Sequence, residues 1–235
     1  VREKNALFEK MKNEKGLYGV SVLSSIPEDI LRVYADSYGE DTAKKIAAHF
    51  ACAAPSVTLR TNTLKTTREK LLAALGSSAS PTALSPCGIR LSGSFPVEEL
   101  FGFSDGLFFV QDEASQLAAG LLKKEDVPAG GIVVDVCACP GGKSFSAAIS
   151  LEDKAVFYDF DLHENKLSLI RSGAERLGIT SITTAARDGR DPDPALFEKA
   201  SAVICDVPCS GLGVLAKKPD IRYKPVSDSQ RLPDI

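Results

Sequence analysis

One short stretch constrains the fold of this chain more than any other. An apolar run at residues 132–136 ends in a turn that contains Pro140, Gly141 and Gly142, and a helical pattern follows at once from Lys143. This succession predicts a buried strand, a tight turn and a helix start. Parallel sheets bind ligands at the carboxyl ends of their strands, where glycines admit the ligand and a helix N-terminus carries partial positive charge. We therefore expect a cofactor site at this turn.

The spacing of the glycines restricts which cofactor the turn can hold. It matches neither G-x-G-x-x-G, which binds dinucleotides, nor G-x-x-x-x-G-K-[ST], which binds nucleoside triphosphates. The remaining common cofactor of a strand-turn-helix unit is S-adenosylmethionine. The sequence thus favours S-adenosylmethionine over cofactors that bind through a pyrophosphate.

Strands and helices alternate regularly after residue 126, which predicts an α/β fold with a parallel, Rossmann-like sheet. We predict four strands, at residues 132–136, 155–158, 182–186 and 202–205. A helix at 143–151 follows the first strand, and a helix capped by Asp161 and Glu164 ends at Gly178. Four strands of this topology order as 3-2-1-4, which leaves the fourth with an unpaired outer edge.

The residues before 126 divide into two regions. Residues 1–55 show helical spacing of apolar residues and form a helical lead. Residues 56–125 alternate short strand and helix patterns, as in a small α/β domain. Residues 125–131 have the proline and glycine content of an interdomain loop, so we expect the Rossmann-like domain to cover residues 126–235.

Composition argues against several classes of protein. The 235 residues carry a formal net charge of −3, which argues against a globally basic nucleic-acid binder and leaves only local patches for such contacts. No apolar run approaches the roughly 18 residues of a membrane span, and no signal peptide is recognisable. We expect a cytoplasmic protein without a membrane anchor, in which the six cysteines are reduced thiols.

Carboxylates recur where the predicted strands end, and such residues would face one crevice. Asp159 follows the second strand, at the place where a ribose diol is held in this type of fold, so we predict ribose binding for it. For Asp161 helix capping is the better explanation. Asp188 and Asp206 could be turn-forming residues, but their recurrence at strand ends favours ligand contact.

A second informative segment, residues 206–211, follows the fourth strand. It places Cys209 on a loop near Asp206, where a thiol can face the crevice. A thiolate that adds to carbon 6 of a pyrimidine makes carbon 5 nucleophilic enough to take a methyl group, after which a base removes the carbon 5 proton. A lone cysteine is more often a small buried hydrophobe, and both interpretations stay open at this point.

These segments together resemble a known family. Residues 137–144, 188–190, 206–211 and 218–222 are similar to the bacterial Sun/RsmB ribosomal RNA cytosine-5 methyltransferases. Upstream, residues 59–62 and 110–115 resemble the small RNA-binding domain of that family. The family usually has alanine where this chain has Cys139 and threonine where it has Ser144. The resemblance implies S-adenosylmethionine as cofactor and a cytosine of small-subunit ribosomal RNA as substrate.

The resemblance also implies roles for individual residues. The cofactor loop would consist of Cys137, Ala138, Cys139, Pro140, Gly141, Gly142 and Lys143. Asp159 would contact the ribose, Asp188 would lie near the adenine, and Asp206 would lie where cofactor and base meet. Lys143 and Asp206 would also contact the target cytosine, and Cys209 would assist release of the methylated product.

Two parts of the family's usual layout are not found in this sequence. The family's attacking thiol lies in a later Thr-Cys-Ser segment, and no such segment occurs before Ile235. A helical domain like the antitermination factor NusB normally precedes residue 1, and residues 1–10 could be the end of its last helix. We therefore expect this chain to be a fragment, inactive by itself, of an enzyme that is a monomer at full length.

Local basic groups predict where RNA is contacted. Lys217, Lys218 and Arg222 follow the 206–211 segment, and Arg60 begins a second basic group. Charge clusters are usually solvated faces, but the position of the first group favours contact with phosphates.

Two other classes of function are compatible with parts of the sequence. Cys137, Cys139, Cys205 and Cys209 could be imagined as zinc ligands, but neither pair has the C-x2-C spacing, and we predict no metal. A non-catalytic RNA-binding or ribosome-assembly protein on the same fold stays open. Binding of S-adenosylmethionine would separate that class from a methyltransferase.

Overall fold

The structure is a computed structural model of the chain, and it describes residues 9, 11, 16–52, 56–93 and 95–227. The chain divides into two compact units, one of residues 1–54 and 208–235 and the other of residues 55–207. The helix end expected at residues 1–10 lies outside the described residues, apart from residue 9.

The first unit is helical, as the apolar spacing predicted. It contains α1 (Leu17–Ser24), α2 (Glu28–Tyr38) and α3 (Glu40–Cys52). Gly39, at a φ of 84°, ends α2 in a conformation that residues with a side chain rarely adopt. Buried side chains of α2 and α3, Ile30, Leu31, Ala43 and Ala47, form one apolar core with Ile26 of the turn between α1 and α2.

Residues 212–223 complete this helical core. Leu215 and Ile221 are buried in it, beside the short 3-10 helices Leu212–Val214 and Pro219–Tyr223. The hydroxyl of Tyr34 donates to the carbonyl of Leu212 at 2.7 Å. The segment that was assigned to the Rossmann-like domain therefore packs with the N-terminal helices.

The second unit begins with an antiparallel sheet. Its strands are β1 (Ser56–Thr61), β2 (Ala79–Pro81), β3 (Gly88–Ser92) and β4 (Phe108–Val110), in the order β2-β3-β1-β4. Helix α4 (Arg68–Leu75) begins at Thr67, whose side chain accepts from the Lys70 N–H at 3.3 Å. Leu71 of α4 packs on Leu59 and Phe108 in the core of this sheet.

A parallel sheet follows after α5 (Glu113–Ala119). Its strands are β5 (Ile132–Asp135), β6 (Val156–Asp161), β7 (Ile182–Ala186) and β8 (Ala200–Ile204), with α6 (Gly142–Ser150) and α7 (Leu167–Leu177) in between. The order is β7-β6-β5-β8 and every pair is parallel, so the predicted 3-2-1-4 arrangement is confirmed. Phe145, Phe157 and Ile170 lie in its core.

Buried polar side chains connect the layers of the second unit. Arg60 of β1 is only 4% exposed and donates to the carbonyl of Gln116 at 3.3 Å and to Ser150 Oγ at 3.0 Å. Asn62 Nδ2 donates to the carbonyls of Gly106 and Leu177 at 2.9 and 2.8 Å. The prediction that Arg60 contacts RNA phosphates is therefore wrong, because its guanidinium is buried and already bonded within the protein.

The boundary predicted between residues 125 and 126 falls in the loop between α5 and β5, inside this unit, and it stays a prediction. Within the part of the chain that the structure describes, none of the helices is both long and apolar enough to cross a bilayer.

Candidate active site at the carboxyl edge of the parallel sheet

Asp135, the last residue of β5, holds both ends of the loop that leads into α6. Its Oδ1 accepts from the Cys137 N–H at 3.2 Å, and its Oδ2 accepts from Ser144 Oγ at 2.8 Å. The Ala138 N–H donates to the carbonyl of Phe160 at 2.8 Å and ties the loop to β6. The loop is thus fixed by the two strands beneath it.

Two adjacent glycines form the entry into α6, and they differ in their surroundings. Gly141 has a φ of 103°, and a Cβ at this position would lie 2.3 Å from the Phe145 ring. At Gly142 a Cβ would have only Gln111 Nε2 within 4 Å, at 3.8 Å. The Gly142 carbonyl accepts from that same amide nitrogen at 2.8 Å. The loop therefore has space at its helix end, and the first-turn N–H groups of a helix attract negative or electron-rich groups.

A cation and an anion meet beside this opening. The ammonium of Lys143, in the first turn of α6, forms an ion pair with the carboxylate of Asp206, which follows β8. The Asp206 side chain is 51% exposed and that of Lys143 is 29% exposed. The two residues that were predicted to act together thus touch each other, and the carboxylate keeps access to solvent.

Asp159 is not where the sequence analysis placed it. Strand β6 continues to Asp161 because its pairing with β7 extends to Ala186, so Asp159 lies inside the strand and is fully buried. Among the described residues neither of its oxygens has a hydrogen-bond partner. Burial, and then the neighbouring Asp135, raise the pKa of Asp159 to about 8. Ribose binding by Asp159 stays a prediction.

Asp161 takes the place at the strand end instead. It is the last residue of β6 and is 9% exposed. Its Oδ1 accepts from the His163 N–H at 3.1 Å. The predicted cap with Glu164 is not formed, because a 3-10 turn at Glu164–Lys166 intervenes and α7 begins only at Leu167.

Asp188, in the loop after β7, is half-buried and already has a partner. Arg190 donates to both of its carboxylate oxygens, with the shortest contact at 2.6 Å, and holds the pKa of Asp188 at about 2. A Cβ on Gly189 would lie 3.5 Å from the Val136 carbonyl, so this loop runs beside the end of β5. The structure thus brings the Asp188 loop and the cofactor loop together.

The thiols of the cofactor loop are poor nucleophiles. Burial, followed by the nearby Cys205 and Asp135, raises the pKa of Cys137. Burial and Asp161 raise the pKa of Cys139. The structure therefore describes both as neutral thiols that line the loop. Cys209 is exposed and belongs to the helical unit, three residues after Asp206 in the sequence.

The basic residues predicted to contact RNA have different environments. Arg222 is half-buried and donates to the carbonyls of Ser24 and Ser25 at 3.3 and 3.4 Å, which satisfies the end of α1. Lys217 and Lys218 are exposed and follow the turn at Leu212–Val214. RNA contact through these two lysines stays a prediction.

Sequence reasoning missed the polar residues that support the loop. The sequence predicts only a strand at Asp135 and only a helix start at Ser144. In the structure these two side chains together hold the ends of the loop between β5 and α6. Gln111 lies in one of the segments that resemble the family, and the sequence predicts no role for it. Its side-chain amide contacts Gly142 and Ser146. One sequence pattern could have identified Asp135 and Ser144. A polar residue ends an apolar strand, and a serine follows in the first turn of the next helix.

Comparison with protein families agrees with this geometry. Residues 121–230 match the model of the 16S rRNA methyltransferase RsmB/F, and residues 26–98 match the ferredoxin-like domain of RsmF/B-like methyltransferases. The chain belongs to the RsmB/F methyltransferase family. A probable ribosomal RNA small subunit methyltransferase B from Bacillus subtilis is 36% identical over 217 residues, which cover 90% of this chain and 47% of the relative. This RsmB/F chain spans about half the length of the curated relatives it matches.

Solved structures show the same fold. The structure of PH0851 has a TM-score of 0.85 and 24% identity, and the match covers 94% of this RsmB/F chain and 50% of that protein. The structure of NSun6 from Pyrococcus horikoshii with SFG has a TM-score of 0.75 and 20% identity, covering 90% and 78% of the two chains. At these identities the likeness establishes the fold alone.

Proposed function

We propose that this chain is the part of a small-subunit rRNA methyltransferase that binds S-adenosylmethionine and faces carbon 5 of a cytosine. The observation that carries the proposal is the glycine loop held at both ends by Asp135, with the Lys143–Asp206 ion pair beside it. The membership of this chain in the RsmB/F family supports rRNA as the substrate. One protein of the same fold was solved with SFG, an analogue of the cofactor.

The loop and the strand ends would hold the cofactor. S-adenosylmethionine supplies an electrophilic methyl group when it is bound. The backbone from Cys137 to Lys143 would surround its amino-acid portion, since this loop is open where α6 begins. Asp159 would bind the ribose diol, since neither of its carboxylate oxygens has a hydrogen-bond partner among the described residues. Asp188, on the adjacent loop, would lie near the adenine.

Lys143 and Asp206 would orient the base. A carboxylate accepts a hydrogen bond from the exocyclic amine of cytosine, and Asp206 is exposed enough to do so. The Lys143 ammonium holds that carboxylate in place and can donate to an oxygen of the substrate. The Lys143–Asp206 ion pair would therefore favour a pyrimidine that carries an amine at carbon 4.

Cys209 would assist release of the methylated base, as the family resemblance implies. The resemblance places the attacking thiol in a Thr-Cys-Ser segment, which these 235 residues do not contain. We therefore expect the 235 residues alone to bind the cofactor without methylating RNA. Lys217 and Lys218 would contact RNA phosphates, and a cytoplasmic location fits this activity.

Equilibrium dialysis with labelled S-adenosylmethionine tests the proposal. The unaltered chain should bind the cofactor, and Asp159→Ala should weaken binding at least about tenfold, because the paired hydrogen bonds to the ribose are lost. Asp36→Ala, which removes an exposed carboxylate from α2, serves as the control and should leave binding unchanged.

The two possible failures mean different things. If Asp159→Ala binds the cofactor as well as the unaltered chain, the ribose assignment is wrong. If the unaltered chain binds RNA but no cofactor, the non-catalytic RNA-binding alternative is correct.

A further inference from the structure

One buried side chain connects the antiparallel sheet to the first turn of α6. Gln111 directly follows β4 and is buried. Its Nε2 donates to the carbonyl of Gly142 at 2.8 Å, and its Oε1 accepts from Ser146 Oγ at 2.7 Å. Gly142 and Ser146 lie about one helical turn apart on α6, so a single amide spans the beginning of this helix.

The partners of this amide determine its orientation. A backbone carbonyl can only accept a hydrogen bond, so the amide nitrogen of Gln111 faces Gly142 and the amide oxygen faces Ser146. The Ser146 hydroxyl also lies 2.9 Å from the Gly142 carbonyl, so its one hydrogen is shared between two acceptors. Gln111 therefore supplies the side-chain hydrogen that the Gly142 carbonyl does not have to share.

Gln111 is itself fixed to the antiparallel sheet. Its N–H donates to the carbonyl of Thr58 in β1 at 3.0 Å, and its carbonyl accepts from Gln116 Nε2 at 2.9 Å. The same Gln116 nitrogen donates to the carbonyl of Leu59 at 3.1 Å. The antiparallel sheet therefore sets the position from which the Gln111 side chain reaches α6.

The bond to Gly142 also fixes the direction of a donor at the helix start. The Gly142 carbonyl and the Lys143 N–H belong to one planar peptide group and point in opposite directions. Lys143 lies in the first turn of α6, and the first N–H groups of a helix have no partner within the helix. Holding the carbonyl at Gln111 therefore aims the Lys143 N–H out of the helix start, where negative groups are stabilised.

The parallel sheet holds the other side of the same turn. Ser144 Oγ donates to Asp135 of β5 at 2.8 Å. Residues two apart on a helix lie about 200° apart around its axis, so Ser144 faces away from Gly142 and Ser146. Each sheet thus holds one side of the first turn of α6.

We propose that Gln111 is a positioning residue that aims the first turn of α6 at the amino-acid portion of S-adenosylmethionine, so that the antiparallel sheet takes part in cofactor binding. Gln111 acts through the Gly142 carbonyl and does not touch the cofactor. This inference rests on the proposed function, which places the amino-acid portion at this loop. The carboxylate of that portion is the negative group that the helix start stabilises. Binding of the adenosine portion, which the proposed function assigns to Asp159 and Asp188, does not depend on Gln111.

Two thioethers separate the two portions of the cofactor in a binding experiment. S-adenosylhomocysteine carries the amino-acid portion, whereas 5′-methylthioadenosine has the same adenine, ribose and sulfur without it. In Gln111→Met a side chain of similar length has no donor for Gly142. Calorimetry on this variant of the 235-residue chain should show S-adenosylhomocysteine bound about tenfold more weakly, because its carboxylate loses a well-aimed donor. Affinity for 5′-methylthioadenosine should stay within about twofold of the unaltered chain.

A second measurement requires no ligand. The Phe145 N–H, which donates to the Gly141 carbonyl at 2.8 Å, reports on the first turn of α6. Its hydrogen exchange in the free chain should accelerate about fivefold or more in Gln111→Met, because one side of the turn is released. A chain that binds neither thioether contradicts the proposed function, and the exchange of Phe145 still decides whether Gln111 holds the turn.

A matched control separates positioning from a general loss of stability. Thr82→Val removes a buried hydroxyl that donates to the carbonyl of Ser85 at 3.2 Å, in the turn between β2 and β3. It should leave both affinities and the exchange of Phe145 unchanged. If Gln111→Met does not fold, Ser146→Ala removes the other partner of the amide with a residue that favours the helix, and the same pattern should appear with smaller changes.

Three results would overturn the inference. Equal weakening of both thioethers in Gln111→Met would show that Gln111 only supports the fold. Unchanged affinity for S-adenosylhomocysteine would show that the aim of this turn does not matter for binding. Exchange of Phe145 at the same rate in Gln111→Met and in the unaltered chain would show that Gln111 does not hold the turn.

Discussion

Arg60 shows how a single charged residue can organise a buried interface between layers. Its two Nη atoms donate to a carbonyl of α5, to a carbonyl of α6 and to Ser150 Oγ, with the Ser146 carbonyl at the long distance of 3.5 Å. Burial lowers the pKa of Arg60, yet guanidinium remains charged because its usual pKa is so high. Its Nε has no partner among the described residues, so the Nη bonds are what offset the cost of burying this charge.

We therefore expect Arg60→Ala to destabilise the second unit by about 2–4 kcal/mol, because it leaves buried acceptors without a donor and opens a cavity. Urea denaturation measures the change. Arg90→Ala, on the exposed side of the neighbouring strand β3, is the matched control and should stay within about 0.5 kcal/mol. Equal effects of the two substitutions would show that Arg60 does not connect the layers.

Residues such as Arg60 and Asp159 mark where sequence reasoning stopped. An arginine in a run of strand residues is most often exposed, and only the approach of α5 and α6 to β1 reveals that Arg60 is covered. Asp159 and Asp161 are two residues apart and lie on the same face of β6, and only the pairing with β7 shows that the strand continues to Asp161. Neither the burial of Arg60 nor the end of β6 can be predicted from neighbouring residues, because contacts with residues distant in the sequence determine both.

At the scale of elements, the loop between β5 and α6 was the best-predicted part of the molecule. Its apolar strand, glycine turn and helix start are local signals, and the structure has them at Ile132–Asp135 and Gly142–Ser150. The strand order was predictable because parallel connections follow few topologies. The packing of residues 212–223 on the N-terminal helices was not predictable, since it depends on contacts such as that of Tyr34 with Leu212.

Gly141 allows a direct test of this element. We expect Gly141→Ala to destabilise the chain by about 2–4 kcal/mol, because its φ of 103° is strained for alanine and the new Cβ would meet the Phe145 ring. Thermal unfolding reports the stability. Gly142→Ala is the control one residue away, where the Cβ has room and alanine favours the helix start. A stable Gly141→Ala chain would contradict the loop conformation described above.

At the scale of the whole molecule, the parallel sheet has two outer strands, β7 and β8, each paired on one side only among the described residues. Within the described residues β8 pairs with β5 on one side and has no strand on the other. Ala202 and Ile204 pack on the core, whereas Val203 is 60% exposed on the opposite face. One face of β8 is therefore covered and the other is exposed. Parallel sheets rarely expose apolar strands in this way, and an open edge offers unpaired N–H and C=O groups to other chains.

This edge should make the isolated 235-residue chain associate with itself in a concentration-dependent manner. Pairing of β8 between two copies would satisfy its free backbone groups and cover Val203, so the association should be driven by both hydrogen bonds and apolar burial. Val203→Lys should weaken it, because a charge on an edge strand opposes further pairing. Leu169→Lys, which adds the same charge at an apolar residue of α7 that is 55% exposed, controls for a general gain in solubility. Sedimentation velocity over a range of concentrations measures the effect. A chain that stays monomeric at every concentration, or equal relief by both lysines, would show that β8 does not act as a pairing edge.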